Sequence, residues 1–328
     1  MRTAGDPSGG LARLTGRGMA NRIVTLTLNP AVDLASVAPA VVPTRKIRTK
    51  NERLDPGGGG INVSRVIHAL GGETLALILV GGVTGGLIQD MLRDAAVPFQ
   101  PLPMAGLTRI SLNIHEDSTG QEYRFVPEGP EVSAPEWQAV LTALETVEGD
   151  WLVASGSLPR GVPADIYARI GDLAVRRGMR FVLDTSGPPL KAALGHHIAL
   201  MKPSLGELEE AVGRKLATRA EQEREAMALV RAGAATRIAV TLGPEGAFLA
   251  SAEGAVHMPA VAGPVVSAVG AGDAFLAAMV LSLSRGESDR DALAWGIAAG
   301  AAAVASLGTA RIARDLVETH WRALRQSA

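Results

Sequence analysis

The sequence SAVGAGDAF, residues 267–275, runs directly into the apolar segment LAAMVLSL, residues 276–283. Gly270 and Gly272 allow a tight backbone turn, and the apolar spacing from Ala274 onward predicts a helix that begins directly after the glycines. The first N–H groups of a helix have no intrahelical acceptor, and the helix dipole is positive at that end. The stretch therefore predicts an anion site with Asp273 at its edge.

The carboxylate of Asp273 has two interpretations. A site that only bound phosphate would be weakened by a second negative group. A carboxylate that removes the proton from a hydroxyl would instead suit a site that holds a phosphoryl group during its transfer. Alternatively, Asp273 caps a helix after a glycine turn and has no chemical role. The stretch alone leaves both interpretations open.

The composition excludes several classes of function. The chain has 328 residues, 47% of them hydrophobic and 20% charged, which is typical of a globular protein with a large core. The net charge of -1 argues against a nucleic-acid partner, because binding to phosphate backbones needs a surplus of Lys and Arg. The sequence has no cysteine, which excludes disulfides, cysteine-bound metals and a thiol nucleophile.

The two ends of the chain carry different expectations. Residues 1–20 are polar and glycine-rich without an apolar run, so we expect a disordered leader, with the folded domain at residues 21–325. Met19 lies four residues before the first predicted strand, and the sequence leaves open whether translation begins at Met1 or Met19. The longest apolar stretches, 274–283 and 297–307, are too short to cross a bilayer. We expect a cytoplasmic protein with no membrane partner.

Alternating strand and helix patterns indicate an α/β fold. Apolar or β-branched runs predict strands at 23–28, 74–80, 151–155, 181–184, 198–201 and 237–242. Helical spacing predicts helices at 61–70, 87–95, 164–177, 205–212 and 219–232, followed by three closing helical runs. Repeated strand–helix units imply a parallel sheet covered on both faces. The exception is a predicted small separate sheet, formed by the basic segment 40–54 and the hairpin 107–125.

In a parallel sheet, ligands bind at the carboxyl ends of the strands. The loops expected there are 29–33, 155–157, 184–186, 202–204 and 242–246, all rich in Gly, Ser, Asp or Lys. Four glycines, 57–60, lie directly before the predicted helix 61–70. Runs of glycine are often linkers, but a linker does not usually lead so directly into a helix. The basic segment 40–54 is compatible with a solvated strand or with an anion-binding flap.

Residues 58–64, with Gly71 and Gly81 at the spacing that follows, and residues 267–280 resemble the two signatures of the PfkB (ribokinase-like) sugar kinases, in the same order. The resemblance extends from about residue 23 to 309. Within the family it is strongest to the sugar-phosphate branch, especially its 6-phosphofructokinases, in the segments 25–28, 56–62, 122–126, 155–159 and 242–246.

The resemblance implies a ribokinase-like three-layer αβα fold with a mainly parallel central sheet and a small β-sheet lid, in segments of about 33–55 and 105–127. It implies ATP-dependent phosphorylation of the 1-hydroxyl of fructose 6-phosphate, with Mg²⁺ and a bound K⁺. A hairpin plus one strand cannot bury both faces by itself, so we also expect the small sheet to act as a lid and as the surface of a homodimer. The alternatives are a 1-phosphofructokinase, a tagatose-6-phosphate kinase or a non-catalytic sugar-phosphate sensor. The 1-phosphofructokinase branch tends to carry a lysine within the glycine run, and residues 56–60 contain no lysine.

The resemblance also assigns roles by position. Asp273 corresponds to the base and Gly270, Ala271 and Gly272 to the anion hole. The sugar-binding residues would be Asp33, Gly58, Gly59, Gly60, Asn62 and Ser157, with Arg109 and Lys46 as the clamp on the substrate phosphate. The nucleotide contacts would be Lys202, Ser204, Thr241, Gly243, Ser267 and Val269. Glu207 would hold Mg²⁺ through water, and K⁺ would lie near Ser267, Val269, Ala303, Ser306, Gly308 and Ala310.

The sequence departs from the family pattern in three places. Ser204 stands where the family usually has Asn after Lys-Pro, which puts the usual magnesium-linked network with Glu207 in doubt. Ala268 replaces a usual Thr. Ser306 and Ala310 replace Asn and Arg of the nearest branch, which weakens the potassium assignment. A dinucleotide oxidoreductase does not fit, because no early strand leads into Gly-x-Gly-x-x-Gly, and the Gly-x4-Gly-Lys-[Ser/Thr] phosphate loop is also missing.

Overall fold

The computed structural model describes residues 21–306 and 308–326, so the predicted leader, residues 1–20, lies outside the described residues. Its strands are β1 (Ile23–Thr27), β2 (Ala31–Ala38), β3 (Lys50–Gly57), β4 (Thr74–Val80), β5 (Phe99–Pro103), β6 (Arg109–Glu116), β7 (Glu122–Phe125), β8 (Trp151–Ser155), β9 (Arg180–Asp184), β10 (Ile198–Met201), β11 (Ile238–Thr241), β12 (Ala247–Ser251) and β13 (Gly254–Met258). Its helices are α1 (Gly59–Ala69), α2 (Gly82–Asp94), α3 (Ala134–Thr146), α4 (Ile166–Arg176), α5 (Gly187–Ala193), α6 (Leu205–Val212), α7 (Arg219–Arg231), α8 (Ala271–Ser284), α9 (Asp289–Val304) and α10 (Arg314–Gln326).

The large sheet has nine strands in the order β13-β12-β11-β10-β9-β8-β1-β4-β5. The seven strands from β11 to β5 are parallel, and β12 and β13 add an antiparallel hairpin at one edge. Successive residues of β1 face opposite layers: Ile23 belongs to the core under α1, α8 and α9, whereas Val24 and Leu26 belong to the core under α4. Burial on both faces explains why these strands are continuously apolar. The predicted three-layer α/β fold is confirmed.

The small sheet has four strands in the order β3-β2-β6-β7. The hairpin predicted at 107–125 is confirmed as the antiparallel pair β6 and β7. The loop predicted at 29–33 is wrong beyond Pro30, because residues 31–38 form β2, which lies between β3 and β6. The sequence did not predict β2 because the alternation of apolar and polar residues is weak there: one face carries Asp33 beside small alanines instead of a regular series of polar residues.

The basic segment 40–54 is extended only from Lys50 onward. Pro43 and a positive φ of 62° at Thr44 interrupt it, since proline removes an N–H donor from a ladder and positive φ does not fit a strand. Helix α2 begins at Gly82, five residues before the helix expected at 87–95. Its early glycines include Gly85, where a Cβ would lie 3.1 Å from both Thr108 Oγ1 and Val80 Cβ. Close packing therefore explains why the helix includes Gly85, although glycines at this position argued against a helix in the sequence.

The helix predicted after the glycine turn is present and begins at Ala271, with Gly270 as its N-cap in the left-handed region (φ 79°). From Ala274 to its end, every residue of α8 is buried. Strands β5, β12 and β13 and helices α3 and α5 were not predicted from the sequence. No helix in residues 21–306 and 308–326 is both long and apolar enough to cross a membrane.

Candidate active site

A cavity of about 660 Å³ lies between the small sheet and the amino-terminal ends of α1 and α8. Its walls include side chains from β2, β3, β6 and β7, which the small sheet turns towards the large one. Ten residues for which the sequence predicted a role line it: Asp33, Gly58, Gly59, Asn62, Arg109, Ser267, Val269, Gly270, Asp273 and Gly308. Long-range folding therefore brings both glycine signatures to one cavity.

Asp273 lies in the first turn of α8, and its Oδ2 accepts a 2.8 Å hydrogen bond from Nδ2 of the buried Asn62. Burial raises the pKa of Asp273 from 3.8 to about 7, and the nearby carboxylate of Asp184 adds to the rise. The hydrogen bond from Asn62 and the charge of Lys202 act in the opposite direction. A carboxylate with a pKa near neutrality can both accept and release a proton at physiological pH.

The amino-terminal end of α8 presents its N–H groups at the same place. Ala274 donates the first intrahelical bond, to the carbonyl of Gly270 at 2.9 Å, so the N–H groups of Gly272 and Asp273 precede the helical ladder. The N–H of Ala271 points back to Ala268 O at 3.3 Å, which makes Ala271 the weakest member of the predicted anion hole. A Cβ added to Gly270 would lie 2.5 Å from the backbone nitrogen of Ala310, so this turn requires glycine.

The glycine run before α1 is part of the packed structure and not a linker. A Cβ on Gly59 would lie 2.1 Å from Ser155 Oγ, and one on Gly60 would lie 2.6 Å from Leu26 O. Gly58 has a φ of 117°, which other residues rarely adopt. These close approaches place the beginning of α1, with Asn62 in its first turn, directly against the ends of β1 and β8.

Lys202 follows β10 and is buried, with its Nζ 3.1 Å from Asp184 Oδ1. Burial alone would lower the pKa of Lys202, but the carboxylates of Asp184 and Asp273 outweigh it and raise the pKa, so the amine is charged. The same Nζ is 3.4 Å from where a Cβ on Gly272 would lie, which places this cation beside the helix start. Asp184 was not singled out from the sequence, although the loop that it begins was.

Asp33 projects from β2, where its Oδ2 accepts a 3.2 Å hydrogen bond from Thr309 Oγ1. Burial raises the pKa of Asp33, while Thr309, Arg124 and Arg109 partly oppose the rise. A Cβ on Gly57 would lie 2.3 Å from the Asp33 carboxylate, so the glycine makes room for it. Thr309 also lines the cavity and was not predicted.

The cationic wall of the cavity differs from the predicted pair. Arg109 is anchored by two backbone carbonyls, with Nη2 donating to Asn29 O at 2.8 Å and Nη1 to Pro127 O at 2.7 Å. Lys46 is exposed and does not line this cavity. Arg53 and Arg124 do line it, on β3 and β7. A sequence signal existed for both, because each lies in a predicted strand of the small sheet.

Ser157 is outside the cavity lining and exposed, and its Oγ accepts a 3.2 Å hydrogen bond from Asn29 Nδ2. The same Asn29 donates to Glu128 O at 2.9 Å and carries the carbonyl that anchors Arg109. Ser157 therefore contacts the base of the loop that holds Arg109 rather than the cavity itself.

Ser204 and Glu207 form a reciprocal capping box at the start of α6. The Ser204 N–H donates to Glu207 Oε2 at 2.7 Å, and the Glu207 N–H donates to Ser204 Oγ at 3.3 Å. Thr241 lies beside this cap through its N–H bond to Pro203 O at 3.1 Å, and Gly243 then opens a short 3₁₀ turn with a φ of 60°. The serine that departs from the family pattern thus has a defined structural partner.

The two segments predicted to hold K⁺ lie side by side. The N–H groups of Val266 and Ser267 donate to Val304 O at 2.7 and 3.2 Å, and Ala310 N–H donates to Val269 O at 3.4 Å. The carbonyl of Ala303 accepts the N–H of Ser306 at 3.1 Å. Across residues 21–306 and 308–326, no group of three His, Cys, Asp or Glu side chains is placed to hold a metal ion by itself.

A carboxylate with a near-neutral pKa, set against free helix-terminal N–H groups and a buried lysine, is the arrangement of an enzyme that transfers phosphoryl groups to a hydroxyl. Comparison of the sequence with known families agrees with this class. The chain belongs to the pfkB family of carbohydrate kinases, whose family model matches residues 26–315.

Several relatives cover most of the chain. The chain is 44% identical over 299 residues to a Mycobacterium tuberculosis protein named ATP-dependent 6-phosphofructokinase isozyme 2, covering 90% of this chain and 88% of that protein. It is 32% identical over 298 residues to 1-phosphofructokinase from Bacillus subtilis, covering 90% and 97%.

Crystal structures of phosphofructokinase-2 from Escherichia coli are similar at 35% identity, covering 93% of this chain and 99% of that one. The complex with potassium has a TM-score of 0.89 and the complex with fructose 6-phosphate has 0.87. A third structure is described as the tetrameric inhibited form, with a TM-score of 0.87.

Proposed function

We propose that this kinase transfers the terminal phosphoryl group of ATP to the 1-hydroxyl of fructose 6-phosphate. The observation that carries the proposal is the position of Asp273, whose carboxylate lies at the start of α8 and opens into the cavity that Asp33 and Arg109 also line. A base and an anion site therefore face the same space. The name of the M. tuberculosis relative and the fructose 6-phosphate in the E. coli structure support this choice of substrate.

In the proposed reaction, Asp273 takes the proton as the O–H bond of the sugar hydroxyl breaks. The hydroxyl oxygen forms a bond to the γ-phosphorus, and the bond between that phosphorus and the bridging oxygen of ADP breaks. The N–H groups of Gly270, Gly272 and Asp273 face the charge on the transferred group, and Lys202 adds a fixed positive charge beside them. Asp33, Asn62 and the glycines before α1 orient the sugar hydroxyls.

The sugar phosphate is proposed to bind at the arginine side of the cavity. Residues 56–60 contain no lysine, so the floor under the glycine run carries no cation that would attract a second phosphate there. Arg109, on β6, is held by two backbone carbonyls, and Arg124 lies on the neighbouring strand β7. Arginine suits phosphate because its planar guanidinium donates two parallel hydrogen bonds. The pairing of Arg109 with Lys46 remains the prediction from the family resemblance.

The nucleotide is proposed to lie along Lys202, Thr241 and Gly243, beyond the start of α8. The residues fit Mg²⁺ bound through water. Glu207 Oε2 accepts the Ser204 N–H, while Glu207 Oε1 accepts no hydrogen bond from the residues that the structure describes. A magnesium ion usually takes one or two carboxylates and completes its shell with water and substrate phosphates, so it needs no protein cluster of three ligands.

A bound potassium ion is a second proposal from the family and from the E. coli structure that contains one. The adjoining segments 266–269 and 303–310 offer backbone carbonyls and the hydroxyls of Ser267 and Ser306, which are suitable oxygen donors for a hard cation. The carbonyls of Val269 and Ala303 accept the N–H groups of Ala310 and Ser306, and a carbonyl oxygen has two lone pairs, so accepting one N–H group does not prevent it from binding a cation.

The small sheet is proposed to act as a lid and as the surface of a homodimer. Strand register places Leu54, Leu34, Leu112 and Phe125 in one row across all four strands. Three of them are exposed, by 44% at Leu54, 37% at Leu112 and 55% at Phe125. A four-stranded sheet with one face towards the cavity and an apolar row on the other needs a cover for that row. A second copy of the chain supplies an identical row.

The dimer proposal predicts that Leu54→Asp, at a position that does not line the cavity, is monomeric in sedimentation equilibrium at micromolar concentration, where the wild type is a dimer. Val175, on α4 and 46% exposed, is a matched control, and Val175→Asp should leave the dimer intact. A monomeric wild type would contradict the proposal.

The absence of cysteine and the sugar-phosphate substrate support a cytoplasmic location.

A coupled assay of ATP consumption with fructose 6-phosphate, fructose 1-phosphate and tagatose 6-phosphate at equal concentration tests the function. We expect the highest kcat/KM with fructose 6-phosphate. A value for fructose 1-phosphate more than about tenfold higher, a difference of roughly 1.4 kcal/mol in transition-state binding, would assign the protein to the other branch. Binding of a sugar phosphate without ATP turnover would instead identify a sensor.

A further inference from the structure

Asp55 is a buried carboxylate that the proposed reaction does not use. Its side chain is 2% exposed on β3, and three arginines surround it. Arg53 Nε donates to its Oδ2 at 2.8 Å, and Arg311 Nε and Nη2 donate to its Oδ1 at 3.2 and 3.0 Å. Arg65 Nη2 lies 3.8 Å from the same Oδ1. Burial opposes ionisation, but the arginines outweigh it and hold the pKa of Asp55 below its ordinary value.

The three arginines come from separate parts of the fold. Arg53 belongs to the small sheet and lines the cavity, Arg65 belongs to α1, and Arg311 belongs to the segment that leads into α10. Positions 55 and 311 are 256 residues apart in the chain. One carboxylate therefore joins the base of the lid to the helix that carries Asn62 and to the segment that follows α9.

The segment that Asp55 secures contacts one carboxylate of the proposed reaction, Asp33, and packs against the helix start that carries the other, Asp273. Arg65 Nη1 donates to Thr309 O at 2.9 Å, and Thr309 Oγ1 donates to Asp33 Oδ2 at 3.2 Å. The next residue, Ala310, packs against Gly270 at the start of α8, where a Cβ would lie 2.5 Å from Ala310 N. The 308–310 segment thus lies between Asp33 on one side and the Asp273 helix start on the other.

We propose that Asp55 is a positioning residue for sugar binding. Through Arg65 and Arg311 it fixes the 308–310 segment, so that Thr309 holds the carboxylate of Asp33 towards the cavity. This inference rests on the proposed function, in which Asp33 binds sugar hydroxyls. Asp55 itself does not line the cavity, and it acts only through its arginine partners.

Removing either the Asp55 carboxylate or one of its arginine partners should weaken sugar binding more than nucleotide binding. Without the Asp55 carboxylate, three guanidinium groups would remain close together with no buried counter-charge, and they would move apart. Thr309 would lose its fixed position, and Asp33 would lose the hydrogen bond that orients it. Within the part of the chain that the structure describes, Lys202 and Thr241 on the nucleotide side form no hydrogen bond or ion pair with Asp55 or its three arginines.

The test compares Asp55→Asn and Arg311→Met with the wild type. Arg311 is 54% exposed, so its replacement leaves the buried core intact even where Asp55→Asn folds poorly. We expect KM for fructose 6-phosphate to rise by about tenfold in Arg311→Met, with KM for ATP changed by less than about twofold. Asp55→Glu, which keeps the charge, should recover part of the loss in Asp55→Asn.

Asp289→Asn is the matched control, because Asp289 also pairs with an arginine, Arg237, at 2.6 Å but lies at the start of α9. It should lower the melting temperature without changing either KM. A thermal-shift titration with fructose 6-phosphate alone gives a readout independent of turnover, since a ligand stabilises the state that it binds. A folded Arg311→Met variant with an unchanged KM and an unchanged shift would overturn the inference. A wild type that shows no shift and no turnover would overturn the proposed function instead.

Discussion

Replacing Asp273 by Asn should reduce activity and increase stability at the same time. A positioned base contributes about 10² to 10⁴ in rate, so Asp273→Asn should retain less than about one hundredth of wild-type kcat. The amide has nearly the same shape, and its oxygen can accept the 2.8 Å hydrogen bond from Asn62 Nδ2. The loss of activity should therefore occur without a loss of folding.

The stability effect follows from the pKa of Asp273, which the fold raises from 3.8 to about 7. A raised pKa means that the folded state binds more protons than the unfolded chain between these two values, so the wild type loses stability as pH rises through that window. The full shift corresponds to at most about 4 kcal/mol. Because Asp273 opens to the cavity, solvent screening reduces it, and we expect Asp273→Asn to gain roughly 1 to 3 kcal/mol at pH 8.

The measurement is urea unfolding at pH 5 and pH 8, together with a pH profile of kcat/KM. The advantage of Asp273→Asn should be larger at pH 8 than at pH 5, and wild-type kcat/KM should rise through an apparent pKa of about 7. Asp289→Asn is the control, because removal of that paired carboxylate should lower stability. If Asp273→Asn keeps more than about a tenth of wild-type turnover, or gains nothing at pH 8, the assignment of the base is refuted.

Three other substitutions test the site. Gly270→Ala should lose at least about a hundredfold in kcat, because the added Cβ would collide with Ala310 at the helix start. Gly286→Ala is the control: Gly286 has the same φ of 79°, but no atom lies within 4 Å of its added Cβ, so the variant should cost about 1 to 2 kcal/mol of stability and leave kcat unchanged. Equal losses of kcat in both variants would contradict the packing argument. Arg124→Gln should lower kcat/KM for fructose 6-phosphate by about tenfold or more and leave that for unphosphorylated fructose unchanged, so a parallel loss with both sugars would exclude a phosphate contact. Ser204→Asn should keep activity equal or higher, because asparagine also caps a helix and restores the usual family residue, and a large loss in a folded variant would show that the site depends on serine.

Local sequence information was sufficient for much of the architecture. Strands β4, β8 and β10 and helix α6 have the predicted boundaries, because a buried parallel strand is continuously apolar and the α6 cap is a local sequence pattern. The glycine turn before α8 was also readable, since only glycine tolerates the left-handed N-cap. These features depend on neighbours within a few residues along the chain.

Strand β2 shows where local information ends. Its residues contain only a weak alternation, and its place between β3 and β6 is set by pairing with strands that follow it by more than ten and more than seventy residues. That pairing turns Asp33 towards the cavity. The anchoring of Arg109 could not be predicted locally either. Its partners Asn29 O and Pro127 O are backbone groups, and no sequence pattern identifies which backbone carbonyl a side chain will contact.

The amino-acid sequence was enough to predict the α/β class, a helix at the glycine turn beside Asp273 and the family, because periodicity, glycine turns and signature spacing are properties of short segments. Which charged groups lie together in the buried space around the cavity depends on long-range packing. It placed Asp55 against Arg311, Asp33 against Thr309, and Asp273 against Asn62, across 256, 276 and 211 residues of chain. A pKa near neutrality at Asp273 arises from that assembly, since burial and nearby charges exist only after distant segments have packed.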